Sequence, residues 1–187
     1  MKKILFLLVF SVASTLGLHA QKDFPANIRI DVSEVTKDNA KYSIFLYKDD
    51  DGTVGYYMSL GGASEIFAIS IKGAGTFSIE DTRETCLWLG ATSEETFASL
   101  DSLLAMYDME VGTVREFQGR SALGFDQLLE QNITTCEVQK KLLGGKRLLF
   151  TFASGDNDCG VYLNKGVVKQ LRFGLKANIK INPKYHR

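Results

Sequence analysis

Three carboxylates near the middle of the chain are close enough in sequence to act together in acid–base chemistry. They are Glu80, Asp81 and Glu84. Two carboxyl groups that face each other across a cleft can hydrolyse a glycosidic bond without a histidine. The same residues are also common in a charged turn between two strands, and their spacing does not show a shared cleft. A carboxylate-based hydrolase of envelope or extracellular polymers is therefore an alternative function and not the leading one.

Histidine chemistry has little support in this sequence. The two histidines are His19, in an apolar leader segment, and His186, the second-last residue, where we expect a frayed chain end. A catalytic imidazole must be held by packing beside its nucleophile. The sequence therefore predicts no histidine-dependent catalytic site. It nominates no catalytic residue and favours a chain that is not an enzyme.

The acidic and glycine-rich turns do not match known ion or phosphate sites. The acidic run 49–51 is followed by Gly52, but the sequence lacks the later glutamate that a helix-loop-helix calcium site needs. No glycine-rich turn has the spacing of a phosphate loop or of a dinucleotide-binding turn. We expect neither a bound metal ion nor a cofactor.

The three cysteines, Cys86, Cys136 and Cys159, include no Cys-x-x-Cys pair of the kind that binds zinc. Across the expected hairpin turns, Cys136 and Cys159 would both lie opposite Ala153. One strand would then separate them, which is too far for a disulfide. We expect three small buried thiols, with one disulfide and one free thiol as the alternative.

Aromatic residues concentrate in the stretch 42–60, which predicts a β-hairpin. Two β-prone runs flank an acidic turn that ends in Gly52, a residue that takes a positive φ at no steric cost. A hairpin with one solvent face should be polar at every second position, but both faces of this one are apolar. Both faces therefore need cover from the fold or from a partner.

Three aromatic side chains of this hairpin are the predicted binding residues. If Lys48 pairs with Thr53, then Phe45, Tyr47 and Tyr56 share one face. Tyrosine suits an interface because it has an apolar body and a polar tip. Cover from within the fold is the alternative explanation. The wider aromatic set is completed by Tyr57 and, further along the chain, Trp88.

Alternating apolar residues predict strands along most of the chain. The predicted strands lie in both arms of 42–60 and at about 28–32, 66–71, 76–80, 85–89, 111–119, 136–142, 148–153 and 159–163. Breaks are expected at Gly61-Gly62 and at the turn 81–83, and a short helix is expected within 121–131.

Two longer helices are also predicted. Thr92 and Glu95 have the spacing of a capping box, and a helix is expected over 93–107. Its apolar stripe is Phe97, Leu100, Leu104 and Tyr107, which we expect to cover one face of the hairpin. Residues 165–177 fit both a strand and a helix, and Asn164 as an N-cap favours a helix followed by a short extended tail.

These elements predict an α+β fold: a largely antiparallel β-sheet with helices packed on one face. A single domain is expected at 21–187, and the element order suggests two similar halves, 28–108 and 111–182. Each half has several strands followed by a helix. A more closed barrel with added helices is the alternative.

The start of the chain predicts export. Residues 1–20 combine a basic start, an apolar run and a small-residue cleavage site, as in a Sec-type signal peptide, so the mature protein is expected to be periplasmic or secreted. No second hydrophobic stretch is long enough to span a bilayer, so we expect no stable membrane insertion. Without the leader's two lysines the chain has 20 basic and 22 acidic residues. This balance argues against a nucleic-acid binder.

Together these features favour an exported soluble protein that acts as a non-catalytic binding or interaction module. The expected partner is a protein or carbohydrate ligand at the aromatic sheet face, or a second copy of the chain. Besides the hydrolase, the remaining alternative is a barrel-like carrier whose closed interior holds a small apolar ligand.

Overall fold

The computed structural model describes most of the chain from residue 26 onward. The backbone is described for residues 26–37, 40–71, 75–123, 128–154 and 157–186, and side chains are described within those ranges except at 61–84, 121–130, 132 and 153–159. The predicted signal peptide at 1–20 lies outside the described residues, so export stays a prediction.

Eight strands form one antiparallel sheet in which every strand pairs with the next one along the chain. The strands are β1 Arg29–Lys37, β2 Ala40–Lys48, β3 Val54–Ile71, β4 Gly75–Gly90, β5 Val114–Leu123, β6 Leu128–Lys140, β7 Lys146–Ser154 and β8 Asn157–Leu163. The sheet is curled: β2 and β8 are far apart in the strand order, and yet they are in contact. The Tyr42 hydroxyl of β2 donates to the carbonyl oxygen of Tyr162 in β8 at 3.1 Å. The predicted α+β class with a largely antiparallel sheet is confirmed.

Two α-helices follow β4 and β8 in the described chain: α1 Ser93–Met106 and α2 Lys165–Ile181. Each predicted half therefore has four strands followed by a helix, and the strands of both halves join in one sheet. A short 3-10 turn, Pro183–Tyr185, replaces the expected extended tail. No helix among the described residues has the length and apolar character needed to cross a membrane.

Helix α1 begins at the predicted capping box. The Thr92 hydroxyl oxygen accepts from the Glu95 N–H at 3.2 Å, and the Glu95 carboxylate accepts from the Thr92 N–H at 3.4 Å. These two bonds satisfy N–H groups that the first turn of a helix leaves without partners. The predicted helix at 93–107 is confirmed.

Helix α2 resolves the conflict between strand and helix periods in favour of the helix. Its buried residues are Val167, Val168, Leu171 and Leu175. They recur at intervals of three and four residues, which puts them on one side of a helix. The helix is longer than predicted and reaches Ile181.

Both helices share one core with the inner face of the sheet. Buried side chains from the sheet in this core include Ile44, Leu46, Tyr56, Met58, Leu87, Val138, Leu148 and Phe150. Helix α1 contributes Leu100, Leu103 and Met106 and lies against β4 and α2, whereas α2 lies against β1 and β2. The inner face of the hairpin thus lies in a core to which both α1 and α2 contribute, whereas the prediction named α1 alone. Within the predicted α1 stripe, Phe97 and Leu104 are only partly buried.

The hairpin register differs from the prediction by one residue. Lys48 pairs with Val54 and not with Thr53. The turn is longer than assumed, because the Asp49 N–H donates to the Thr53 carbonyl oxygen and the Thr53 N–H donates to the Asp51 carboxylate, both at 2.8 Å. A slip of one residue moves the side chains of a strand to the opposite face of the sheet.

Three predicted interruptions of the sheet are wrong. The Gly61-Gly62 pair does not end β3, which is 18 residues long in all and continues to Ile71 after a register shift between Ser59 and Gly62. The expected turn at 81–83 lies within β4. The expected helix within 121–131 is also absent among the described residues, since β5 extends to Leu123 and β6 starts at Leu128. In each case pairing with a neighbouring strand overrides a weak local signal.

The cysteine registers also need correction. Cys136 lies opposite Phe150, and Cys159 lies opposite Phe152, so they do not share Ala153 as a neighbour. Cys86 and Cys136 are buried, as expected, and burial raises the pKa of the Cys136 thiol to about 12. The side chain of Cys159 lies outside the described set.

The contact between α2 and β1 depends on a glycine. The Ser33 hydroxyl donates to the Leu171 carbonyl oxygen at 2.9 Å, and a Cβ at Gly174 would overlap the same hydroxyl. The helix can therefore approach the strand this closely only because residue 174 has no side chain.

We expect Gly174→Ala to destabilise the protein by about 1 kcal/mol, because moving the Ser33 hydroxyl leaves a buried polar group without its partner. That loss outweighs the higher helix propensity of alanine. The matched control is Gly166→Ala in the same helix, where a Cβ meets no atom within 4 Å. It should be neutral or stabilising by up to about 1 kcal/mol. Urea unfolding measures both, and equal effects would contradict the close approach.

Candidate binding cleft

The outer face of the sheet carries a compact aromatic cluster. Its members are Phe45, Tyr47, Tyr57 and Cys86, with the partly buried Trp88 packed against them. The Phe45 and Tyr57 rings stack with their centroids 5.7 Å apart. Tyr57 meets Tyr47 and Trp88 edge-on, with centroid distances of 6.4 Å and 5.0 Å. Such edge-to-face pairs are favourable for aromatic rings, so this outer cluster forms a small second core.

Two arginines contribute to the cover of the outer cluster. The guanidinium carbon of Arg29 lies 4.0 Å from the centroid of Phe45, and that of Arg120 lies 5.7 Å from the centroid of Tyr57. A guanidinium group over an aromatic face is attracted by the ring quadrupole. Burial raises the pKa of Tyr57 to about 12, so its hydroxyl stays protonated at neutral pH.

The three predicted binding residues do not share a face. Phe45 and Tyr47 belong to the outer cluster, whereas Tyr56 lies in the main core on the inner face. The grouping was wrong because the hairpin register is shifted by one residue. All three side chains are buried, with exposed fractions of 1 %, 4 % and 2 %. A direct binding role for them stays a prediction.

The expectation of a frayed end at His186 is wrong. The imidazole is buried, and its ring stacks on Tyr56 with centroids 6.0 Å apart. Its Nε2 lies 2.8 Å from the Asn178 side-chain oxygen, and its Nδ1 lies 2.9 Å from the Tyr56 hydroxyl oxygen. Because an amide oxygen can only accept, we assign the hydrogen to Nε2, and Nδ1 then accepts from the Tyr56 hydroxyl. Burial lowers the pKa of His186, which agrees with a neutral ring that has one donor and one acceptor. The imidazole thus ties the end of the described chain to β3.

An open cleft of about 660 Å³ adjoins the outer cluster. Its described lining residues are Asp49, Thr53, Tyr57, Trp88, Gln118, Gly119, Arg120, Gln131 and Ile133. They come from the β2–β3 turn and from strands β4, β5 and β6 as well as β3. The cleft therefore combines an aromatic side with a polar side.

Tyr57 and Trp88 form the aromatic side, and Gly55 sets the position of Trp88. A Cβ at residue 55 would overlap the six-membered ring of the indole. Trp88 can therefore lie directly against the β3 backbone while it remains partly exposed at the cleft. This is a close approach that only glycine permits.

An ion pair and two amides form the polar side. The Arg120 guanidinium donates to the Asp49 carboxylate at 2.7 Å, and both side chains are only 20 % exposed. Burial is the largest single influence on Arg120 and disfavours its charge, but the hydrogen bond to Asp49 together with the charge interactions with Tyr57, Asp49 and Tyr47 outweighs burial, so the pKa of Arg120 is raised. Gln118 and Gln131 are exposed and lie beside this pair. Gln131 is the residue opposite Arg120 in the β5–β6 register, and Gln118 is two residues from Arg120 on the same face of β5.

These groups suit a polar ligand that also has an apolar face. Each amide offers donors and an acceptor, the carboxylate accepts, and the guanidinium donates. Concave sites with aromatic walls and a few convergent polar groups are typical of small-molecule binding. Asp49 is the one carboxylate in the described lining. Within the part of the chain that the structure describes, no three His, Cys, Asp or Glu residues could hold a metal ion.

The predicted binding residues Phe45, Tyr47 and Tyr56 are not among the described lining residues of this cleft, and no sequence signal pointed to its polar side. Tyr57 and Trp88 were in the predicted aromatic set. Gln118, Arg120 and Gln131 carry no local signal, because single polar residues in a strand are ordinary. They become a site only when β5 and β6 pair beside β4. The carboxylates Glu80, Asp81 and Glu84 have side chains outside the described set, so a shared cleft for them stays a prediction.

Comparisons with known proteins add no relative of this chain. No protein-family model, no curated protein and no solved structure matches it. Its function must be inferred from the geometry of its own residues.

We expect Gly55→Ala to displace Trp88, because the added methyl group would overlap the indole ring. Overpacking of this kind costs about 1–3 kcal/mol. Trp88 is the single tryptophan of the chain, so its fluorescence emission should shift and the urea midpoint should fall. The control is Gly160→Ala in β8, where a Cβ would meet a flexible leucine end. An unchanged emission spectrum in Gly55→Ala would refute the close approach.

We expect the stability of the protein to fall on acidification because of His186. Burial lowers the pKa of His186 below its ordinary value, about 6.5. Between that value and the lower folded value, only the unfolded chain binds the proton, so the free energy of unfolding decreases as pH falls. The slope from one such group is at most about 1.4 kcal/mol per pH unit.

The free energy of unfolding is measured by urea denaturation for the wild type and for His186→Phe at a series of pH values below 7. Phenylalanine keeps a ring against Tyr56 but does not titrate, so the difference between the two profiles isolates the imidazole. A Tyr56→Phe variant is the control that removes the hydrogen bond and keeps the histidine. Parallel profiles for wild type and His186→Phe would show that the imidazole titrates alike in both states.

Proposed function

We propose that this chain is an exported, non-catalytic binding protein whose ligand is a carbohydrate bound in the cleft beside Trp88. The main support for this proposal is that the partly exposed Trp88 indole, the Arg120–Asp49 ion pair and the amides of Gln118 and Gln131 line one open cleft. The leader-like segment at 1–20 supports export.

The aromatic side of the cleft supports a sugar because of the shape of a pyranose ring. Such a ring has a face of C–H groups, and that face packs on an aromatic ring through dispersion and burial of apolar area. Trp88 is held by Gly55 on one side and by Tyr57, at a centroid distance of 5.0 Å, on the other. The indole is therefore in place before a ligand arrives, which reduces the entropy lost on binding.

The polar side supports a sugar because of its mixed hydrogen-bonding capacity. A hydroxyl group both donates and accepts, and so do the side chains of Gln118 and Gln131. Arg120 and Asp49 neutralise each other across a 2.7 Å hydrogen bond, so the cleft presents polar atoms with no unpaired charge between these two residues. A neutral oligosaccharide fits this arrangement better than a strongly charged ligand does.

The two alternatives have weaker support. A carboxylate-based hydrolase depends on Glu80, Asp81 and Glu84, whose side chains lie outside the described set. A barrel-like carrier needs an open interior, but the inner side of the curled sheet is packed with side chains of α1 and α2 in the described structure. A protein ligand or a second copy of the chain at the outer face stays a further alternative.

Titration with neutral oligosaccharides should change the emission of Trp88, and the change should saturate. Gln118→Ala and Gln131→Ala should each weaken binding about fivefold, since a neutral hydrogen bond contributes about 1 kcal/mol. Calorimetric titration checks these affinities without relying on the indole. Gln170→Ala is the matched control, because Gln170 is an exposed amide on α2 outside the cleft lining.

Three results would contradict the proposal. No saturable signal with any neutral oligosaccharide would argue against a sugar site. Equal loss of affinity in Gln170→Ala would place the binding elsewhere. Release of new reducing ends, abolished by Glu80→Gln or Glu84→Gln, would support the hydrolase instead.

A further inference from the structure

The turn between β6 and β7 exposes two adjacent leucines completely. Leu142 and Leu143 have exposed fractions of 101 % and 99 %, the highest among the exposed large hydrophobic residues described. The Gly144 N–H donates to the Lys141 carbonyl oxygen at 3.2 Å, so the two leucines are the central residues of a β-turn. The two leucines therefore lie at the apex of the loop, and their side chains are exposed to solvent.

Local structure does not explain leucine at these two positions. Gly144 and Gly145 take the positive φ values, 90° and 79°, that the turn requires. Turns as a class are dominated by Gly, Pro, Asn, Asp and Ser, each for a conformational or hydrogen-bonding reason that leucine does not share. An exposed leucine pair gains nothing from burial within the described fold, so its apolar surface is available for an external apolar phase.

Basic residues flank the leucine pair on both sides. Lys140 and Lys141 precede it, Lys146 and Arg147 follow the two glycines, and the run 140–147 contains no acid. Lys146 Nζ donates to the Met109 carbonyl oxygen, and the Arg147 guanidinium carbon lies 3.6 Å from the centroid of Tyr162. The cations therefore surround the base of the loop while the leucines form its tip.

The neighbouring α1–β5 connection extends this surface. The Gly112 N–H donates to the Val138 carbonyl oxygen at 2.8 Å, which holds the connection beside β6. Val111 in that connection is 53 % exposed. Glu110 is an exposed acid in the same connection, and Asp108 is engaged by Lys165 at 3.0 Å. Positive charge predominates around the leucine tip.

We propose that residues 140–147 dock this protein on an anionic lipid bilayer, with Leu142 and Leu143 inserted among the headgroups and with Lys140 and Lys141 against lipid phosphates. An apolar tip above a basic collar matches the order of apolar and anionic layers at such a surface. The docking is peripheral and reversible. It is independent of the sugar cleft.

The test is co-sedimentation of the exported protein, with loss of the leader verified by mass spectrometry, with phospholipid vesicles. Vesicles of phosphatidylcholine and phosphatidylglycerol in equal parts should bind it, and pure phosphatidylcholine vesicles should bind it far more weakly. Leu142→Ser with Leu143→Ser should reduce partitioning by on the order of tenfold or more. Lys140→Gln and Lys141→Gln should reduce it about fivefold each, and added salt should weaken it in the wild type.

The matched control is Phe173→Ser with Ile181→Ser, because both are 75 % exposed apolar residues on α2, away from the loop. Vesicle binding that survives the leucine substitutions, or that the control variant loses equally, would overturn the proposal. A third result would also overturn it: the wild type does not bind vesicles but associates with itself, and the leucine variant does not. The leucine tip would then be a contact between copies of the chain.

A second measurement reports insertion directly. In a Trp88→Phe background, Leu142→Trp should show a blue-shifted emission on mixing with the anionic vesicles. Circular dichroism and urea unfolding can first show that the doubly substituted protein is folded. A folded variant whose emission does not move on the anionic vesicles would also overturn the proposal.

Discussion

The turn at residues 49–53 is the constraint on which the described structure depends most. It sets Lys48 opposite Val54 and thereby decides which side chains of β3 face the helices. A slip of one residue would exchange the inner and outer sets, since side chains alternate along a strand. Tyr56 would leave the helix-covered core, and Gly55 would no longer lie under Trp88. One turn therefore determines both the main core and the wall of the cleft.

The two apolar faces of this hairpin are covered by different physical means. The inner face packs against aliphatic side chains of α1 and α2, where burial of hydrocarbon dominates. The outer face has aromatic rings with Arg29 and Arg120 over them. A guanidinium group is planar and weakly hydrated, so it can cover a ring and still present N–H groups at the rim. Arg120 does both, since it lies over Tyr57 and binds Asp49, and this is why a polar cleft borders an apolar cluster.

The two predicted halves, 28–108 and 111–182 with the residues that follow, are joined by polar contacts as well as by the shared core. In several of them a hydroxyl group buried by one half bonds to an atom of the other half. The pairs are Ser33 with Leu171, Tyr42 with Tyr162, Tyr107 with Leu163, and Tyr56 with His186. Breaking such a bond leaves a buried polar group without a partner, which is more costly than the bond itself is stabilising. These contacts favour one arrangement of the halves over slipped ones.

The sequence by itself determined the type and order of most elements, because periodicity, capping and turn residues act over a few neighbouring positions. The helix at 93–107, the C-terminal helix and the antiparallel sheet followed from such signals. The tertiary structure alone decided the hairpin register, the burial of His186 and the polar side of the cleft. Arg120 reaches Asp49 across 71 residues of sequence, and Tyr56 reaches His186 across 130. Contacts at such separations depend on how the strands align and how the helices pack on the sheet. Local sequence patterns extend over only a few neighbouring residues, so they do not predict this alignment.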